Sequence, residues 1–130
     1  MLSPSRLPAI ATKHNHISAV LGLEQAHQWR AAIEGYNTAL ARWPSSLSAR
    51  IGLGNSYYAL GDLESAEAAF REATRRFPTD GMAFNNLAQV LWDQEKQQKA
   101  LEAASRAVDL DGPLVEEYRK TLQEIQTRKP

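Results

Sequence analysis

The sequence predicts an all-α fold, an open stack of paired helices, and three observations carry that prediction. Features recur every 34 residues: Pro44 closes "NTALARWP", Pro78 closes "REATRRFP", and the same step reaches Gly112 beside Pro113. Within each unit the apolar residues step by three and four, as Leu63, Ala66, Phe70, Ala73 and Phe77 do, which is the spacing of one helix face. No segment carries a strand signal of any strength. The period aligns further columns: Ala32, Ala66 and Ala100; Ala39, Ala73 and Ala107; Tyr36, Phe70 and Ala104; Leu23, Tyr57 and Leu91.

Read in order, the elements are seven helices near 13–26, 29–42, 47–60, 63–76, 81–94, 97–109 and 114–127. The first two form the loosest unit, 13–46. In the second unit, 47–80, Leu53, Tyr57 and Leu60 mark the first helix. Gly61 then supplies a left-handed turn, and Asp62 caps the helix that follows. Pro44 and Pro78 stop their helices, and Ser45-Ser46 and Thr79-Asp80 are good caps for the next ones. The third unit covers 81–113. In the final helix, 114–127, Leu114, Tyr118, Leu122 and Ile125 lie on one stripe with charges elsewhere, which suits a cap on an exposed apolar end. Residues 1–12, with two prolines and no helical period, read as an extended linker, and 128–130 as a tail.

These residues resemble the tetratricopeptide repeat, whose signature positions are Trp, Leu, Gly, Tyr, Ala, Phe, Ala and Pro. The second unit carries Leu53, Gly54, Tyr57, Ala66, Phe70, Ala73 and Pro78, with Arg50 at the Trp position. The third keeps Leu87, Ala100 and Ala107, with Phe84 for Trp, Ala88 for Gly and Gly112 for Pro. The first matches at Ala32, Tyr36, Ala39 and Pro44, while His16, Ala19, Val20 and Leu23 replace the set on its first helix. The resemblance implies a right-handed superhelix, an α-solenoid of three helix–turn–helix repeats closed by a capping helix. It also implies a protein–protein interaction module rather than an enzyme.

Composition and motifs exclude several other functions. Fifteen basic and fifteen acidic residues cancel, so no net field draws the chain to nucleic acid or anionic lipid. There is no cysteine, which removes disulfides, thiolate metal sites and a cysteine nucleophile together. No apolar run approaches the roughly 20 residues of a membrane-spanning helix. "GLGNSYYALGD" invites a phosphate-loop reading, but G-x-G-x-x-G fails at Tyr57 and no strand precedes it. Gly54 is expected instead to let two helices approach, against Ala66. His14 and His16 are two apart and point to different faces of a helix, and His27 lies too far along it to join them. No metal or other cofactor is expected. Arg71, Arg75, Arg76, Lys96 and Lys99 are interleaved with Glu64, Glu67, Glu72 and Glu102, a solvated surface rather than a nucleic-acid stripe.

The resemblance implies a concave groove lined by the first helices, which receives an extended peptide or a partner's helix. Carried over by position, the groove residues are His14, Ile17, Leu21, Glu24 and Gln25 from the first unit. The second unit gives Ser48, Ile51, Asn55, Tyr58 and Ala59, and the third gives Met82, Asn85, Asn86, Gln89, Trp92 and Asp93. Arg119 and Gln123 of the capping helix stand at one mouth. Amides suit a peptide backbone because each both donates and accepts hydrogen bonds, and Tyr58 and Trp92 are candidate anchors. Core packing under the capping helix is the competing role for Trp92. Charge is sparse in this set, so neither a highly acidic nor a highly basic ligand is favoured. Asn55, Asn86 and Arg119 match by position the family subset that grips a chaperone's C-terminal carboxylate, but Ile51 and Gln123 stand where two of its basic groups belong.

Linker and array are also similar to the C-terminal part of bacterial proteins in which a papain-like, bacteriocin-processing-type cysteine peptidase domain precedes such repeats. The features behind this are "LP" before the array and the "ALARWP…GLGNSYYALGD" run. That similarity implies a larger parent, an accessory role beside a peptidase and, where the parent is exported, a periplasmic location; otherwise a cytoplasmic one is the default. A self-associating structural module is a further reading. The chain is expected to be a monomer or weak homo-oligomer, with its N-terminal segment a candidate occupant of its own or a neighbour's groove.

Overall fold

The computed structural model describes residues 9–128, with side chains from residue 12 onward. Among the described residues there are seven helices and no strand: α1 (Ala9–Gln25), α2 (Trp29–Arg42), α3 (Leu47–Ala59), α4 (Leu63–Arg76), α5 (Gly81–Asp93), α6 (Gln97–Leu110) and α7 (Val115–Thr127). The starts and ends expected from sequence hold to within a residue except at α1, which begins at Ala9 rather than residue 13. Once Pro8 is passed, "AIATKHNH" contains no helix breaker, so the helix extends back to Ala9. The rest of the expected linker, 1–8, lies outside the described residues. No helix among the described residues is long and apolar enough to cross a membrane.

Each repeat turns in the same way. The N–H of Gln28, Asp62 and Lys96 donates to the carbonyl of Leu23, Tyr57 and Leu91 respectively, at 2.8, 3.0 and 2.9 Å. That bond closes the end of a helix around one residue in the left-handed region. The residue is His27 (φ 60°), Gly61 (φ 80°) and Glu95 (φ 63°) in the three turns. Between repeats, Ser46 Oγ and Asp80 Oδ1 accept from the N–H of Ala49 and Ala83 and cap α3 and α5. Asp62 does the same for α4 through Ser65.

Consecutive helices pack along the whole chain, α1 also meets α3, and α5 also meets α7. Both pairs that pack across a skipped helix, α1 with α3 and α5 with α7, join odd-numbered helices, so α1, α3, α5 and α7 form the inner wall of the stack. Two apolar clusters run through it. The first gathers Val20, Ala32, Tyr36, Ala39 and Ala49; the second centres on Phe70, Leu87, Leu91, Ala104 and Ile125. The aligned alanine columns are all at 0% exposure, as small residues where two helices close on each other should be. The loosest unit shows its departure at Leu23, which is 36% exposed while its counterpart Leu91 is buried.

The glycines of α3 explain its close fit. A Cβ on Gly54 would lie 2.4 Å from the ring of Phe70 of α4, and one on Gly52 would lie 2.2 Å from the ring of Tyr36 of α2. Phe70, not Ala66, therefore fills the space left at Gly54. Alanine is too short to use a gap that an aromatic ring four residues further along α4 occupies. Two residues apart on a helix, Gly52 and Gly54 face nearly opposite ways, so α3 accepts one ring from each flanking helix.

Candidate peptide-binding groove

The inner wall holds a cavity of about 310 Å³ where three successive repeats meet. Leu21 and Glu24 come from α1, Ser48, Ile51 and Asn55 from α3, and Met82 from α5. The period puts these residues side by side, because each lies on the face of a first helix that turns away from its own second helix. Leu21 and Met82 are 43% and 41% exposed, large apolar side chains left open to solvent. Four contributors were missed from sequence, Leu47 and Gly52 of α3 among them. Tyr36, on a second helix, reaches the cavity because Gly52 leaves a gap in α3, and its hydroxyl donates to Glu24 Oε1 at 2.6 Å. Burial, then the bond to Glu24, raises the Tyr36 phenol well above its usual range. Asp80, the cap of α5, is the fourth. The signals available were a glycine sixteen residues after Tyr36 and an acidic cap one turn before the open face of α5.

Further along the same wall a second cavity, of about 340 Å³, includes Tyr58, Gln89, Trp92 and Asp93 of the expected set. Thr121, Glu124 and Arg128 add the capping helix and its end. Tyr58 donates its hydroxyl to Asp93, tying α3 to α5, and burial followed by that bond pushes its pKa up to about 12. Trp92 is half-buried against the second apolar cluster, the packing role expected of it, and it also lines this cavity. Tyr57, its neighbour's inward counterpart, packs on the same cluster.

Other expected residues are placed differently. Asn85 is 8% exposed, and its Oδ1 has no hydrogen-bond partner. It lies one turn after Gly81, which receives the Tyr118 ring of α7, so the capping helix covers this face of α5 and removes Asn85 from the open groove. Arg119 is exposed and bound to Glu116 on its own helix, and neither it nor Asn86 lines either cavity. The three residues matching a carboxylate grip are thus not gathered in one cavity. Ile17 and His14 border a shallow hollow with Ser48 at the first mouth, while Gln25, Ala59 and Gln123 are exposed outside these cavities. His16 Nε2 lies 3.2 Å from the Gly35 carbonyl and its ring packs near Trp43, a packing role. The described residues hold no group of three or more potential metal ligands.

On the outer side, α4 and α6 flank a cleft of about 470 Å³ floored by Phe84, Leu87 and Leu91. Within it Glu67 pairs with Arg71 at 2.6 Å and also reaches Lys96 at 2.8 Å, while Arg106 lies over the Phe84 ring. Partial burial alone would raise the Glu67 carboxyl, but hydrogen bonds from Lys96, Arg71 and Gln94 override it and hold the pKa at about 2.

The family profile described as tetratricopeptide repeat matches residues 19–81 and 52–114. No curated protein sequence matches the chain significantly. Among solved structures, the first repeat domain of Spaghetti (RPAP3) bound to the HSP90 peptide SRMEEVD aligns with a TM-score of 0.80 at 15% identity, over 88% of this chain and 90% of that one. The Yersinia enterocolitica type III secretion chaperone SycD, in complex with a peptide of the translocator YopD, gives 0.82 at 15% identity, over 89% and 93%. The TPR2B domain of yeast Sti1, complexed with pHsp70, gives 0.82 at 17%, over 89% and 98%. At these identities the likeness is one of fold.

Proposed function

The chain belongs to the tetratricopeptide repeat family, and we propose that it is a protein-interaction module that binds an extended peptide or a partner's helix along its inner wall. The observation that carries this reading is the central cavity, where exposed Leu21 and Met82 flank Ser48 and Asn55 from three consecutive repeats. Apolar side chains beside amides suit a peptide, which brings both side chains and unpaired backbone groups. Neighbours of the same fold are captured with an HSP90 peptide, a YopD peptide and pHsp70, which supports this mode without naming the ligand here.

Panning a random peptide library against the immobilised chain tests the reading. Peptides enriched on the native chain should bind Met82→Asn and Leu21→Asn about tenfold or more weakly, because both replace an apolar contact with a neutral polar group. Both side chains are exposed, so the melting temperature should stay put. Enriched peptides indifferent to both variants would move binding off the inner wall and end the proposal.

A further inference from the structure

Resting on the groove reading, we infer that the central cavity selects a peptide segment presenting a lysine or arginine beside an aliphatic residue, and rejects acidic C-terminal peptides. Two carboxylates line the cavity, Glu24 from α1 and Asp80 from the turn before α5, and no lysine, arginine or histidine does. Neither carboxylate takes part in an ion pair among the described residues.

Both are already oriented. Glu24 Oε1 accepts from the Tyr36 hydroxyl at 2.6 Å, and Asp80 Oδ1 accepts from the Ala83 N–H at 3.0 Å. Each keeps a second oxygen for a ligand, and neither donor is a cation, although the N-terminus of α5 offsets part of the charge on Asp80. The remaining wall is mostly apolar, with Leu21, Leu47, Ile51 and Met82. Lysine and arginine are the side chains that lay an alkyl stem on such a surface while placing a cation at its edge. In a partly enclosed site the Coulomb attraction is stronger than in open water, and the same field repels a carboxylate. The second cavity does not reverse the sign, since Asp93 and Glu124 there outnumber Arg128.

Glu24→Gln and Asp80→Asn separate charge from structure. Glutamine can still accept from Tyr36, and asparagine is as good a cap as aspartate. The library selection is repeated with this double variant, and each enriched peptide is resynthesised with its basic residues changed to glutamine. Enrichment of lysine or arginine next to aliphatic residues on the native chain supports the inference. Affinity should fall about tenfold on removing either the carboxylates or the cation, with no further loss when both are removed. Raised salt should weaken the native pair alone. Groove-binding peptides with no basic preference, or with an acidic one, overturn the inference and leave the module reading intact. A selection yielding no groove-binding peptide removes both.

Discussion

Gly52 and Gly54 do more in this molecule than relax the backbone, because each is the seat of an aromatic ring. Adding a methyl to either would gain up to about 1 kcal/mol of helix propensity but force a buried ring to move. Overpacking of this kind costs about 1–3 kcal/mol, so Gly54→Ala, which displaces Phe70, should lower stability in urea unfolding. Gly52→Ala should do the same and also disturb Tyr36, whose hydroxyl holds Glu24 in the central cavity. A variant as stable as the native chain at either position would refute the packing account.

Glu67 makes a separate claim at the same scale. Its pKa is lowered from 4.5 to about 2, so its contribution is present above pH 4.5 and is lost as the pH falls towards 2. Lys96 and Arg71 are close to half exposed, so screening leaves about 1 kcal/mol of this at neutral pH. Glu67→Gln should therefore be less stable at pH 7, and the gap should close on acidification between those limits. A gap that stays constant down to pH 2 would show that the carboxylate charge is not what matters.

At the scale of elements, the three turns share one hydrogen-bond pattern but not one residue type. Gly61 meets the left-handed conformation without cost, whereas Glu95 carries a Cβ into it. Glu95→Gly should raise stability by up to about 1 kcal/mol, read as a higher denaturation midpoint with an unchanged slope. His27 offers a poorer test, because its ring stacks on Trp29 with centroids 5.1 Å apart. The helices themselves were legible in the sequence because prolines, caps and the 34-residue period all marked the same boundaries. Ala9–Thr12 was not, since a short stretch with proline just before it looks the same whether it extends a helix or leads into one.

At the scale of the whole molecule, the family resemblance implied which helices form the inner wall, but not what each side chain meets there. Asn85 shares its column with the cavity residue Ile51, yet α7 lies over it, and a period cannot show what the last helix covers. Tyr36 and Asp80 were missed for the converse reason: one arrives through a gap in α3, the other from a turn, and neither occupies a groove column. Asp80 also changes the chemistry, turning a site of sparse charge into one with two unpaired carboxylates.

The central claim is that the inner wall, at the junction of three repeats, is the binding surface. Backbone amide chemical shifts, recorded by NMR while an enriched peptide is titrated in, test it most directly. The account predicts changes centred on Leu21, Ser48, Asn55 and Met82, with the outer faces of α4 and α6 unmoved. Changes concentrated instead around Arg71, Lys99 and Arg106, in the outer cleft, would contradict it.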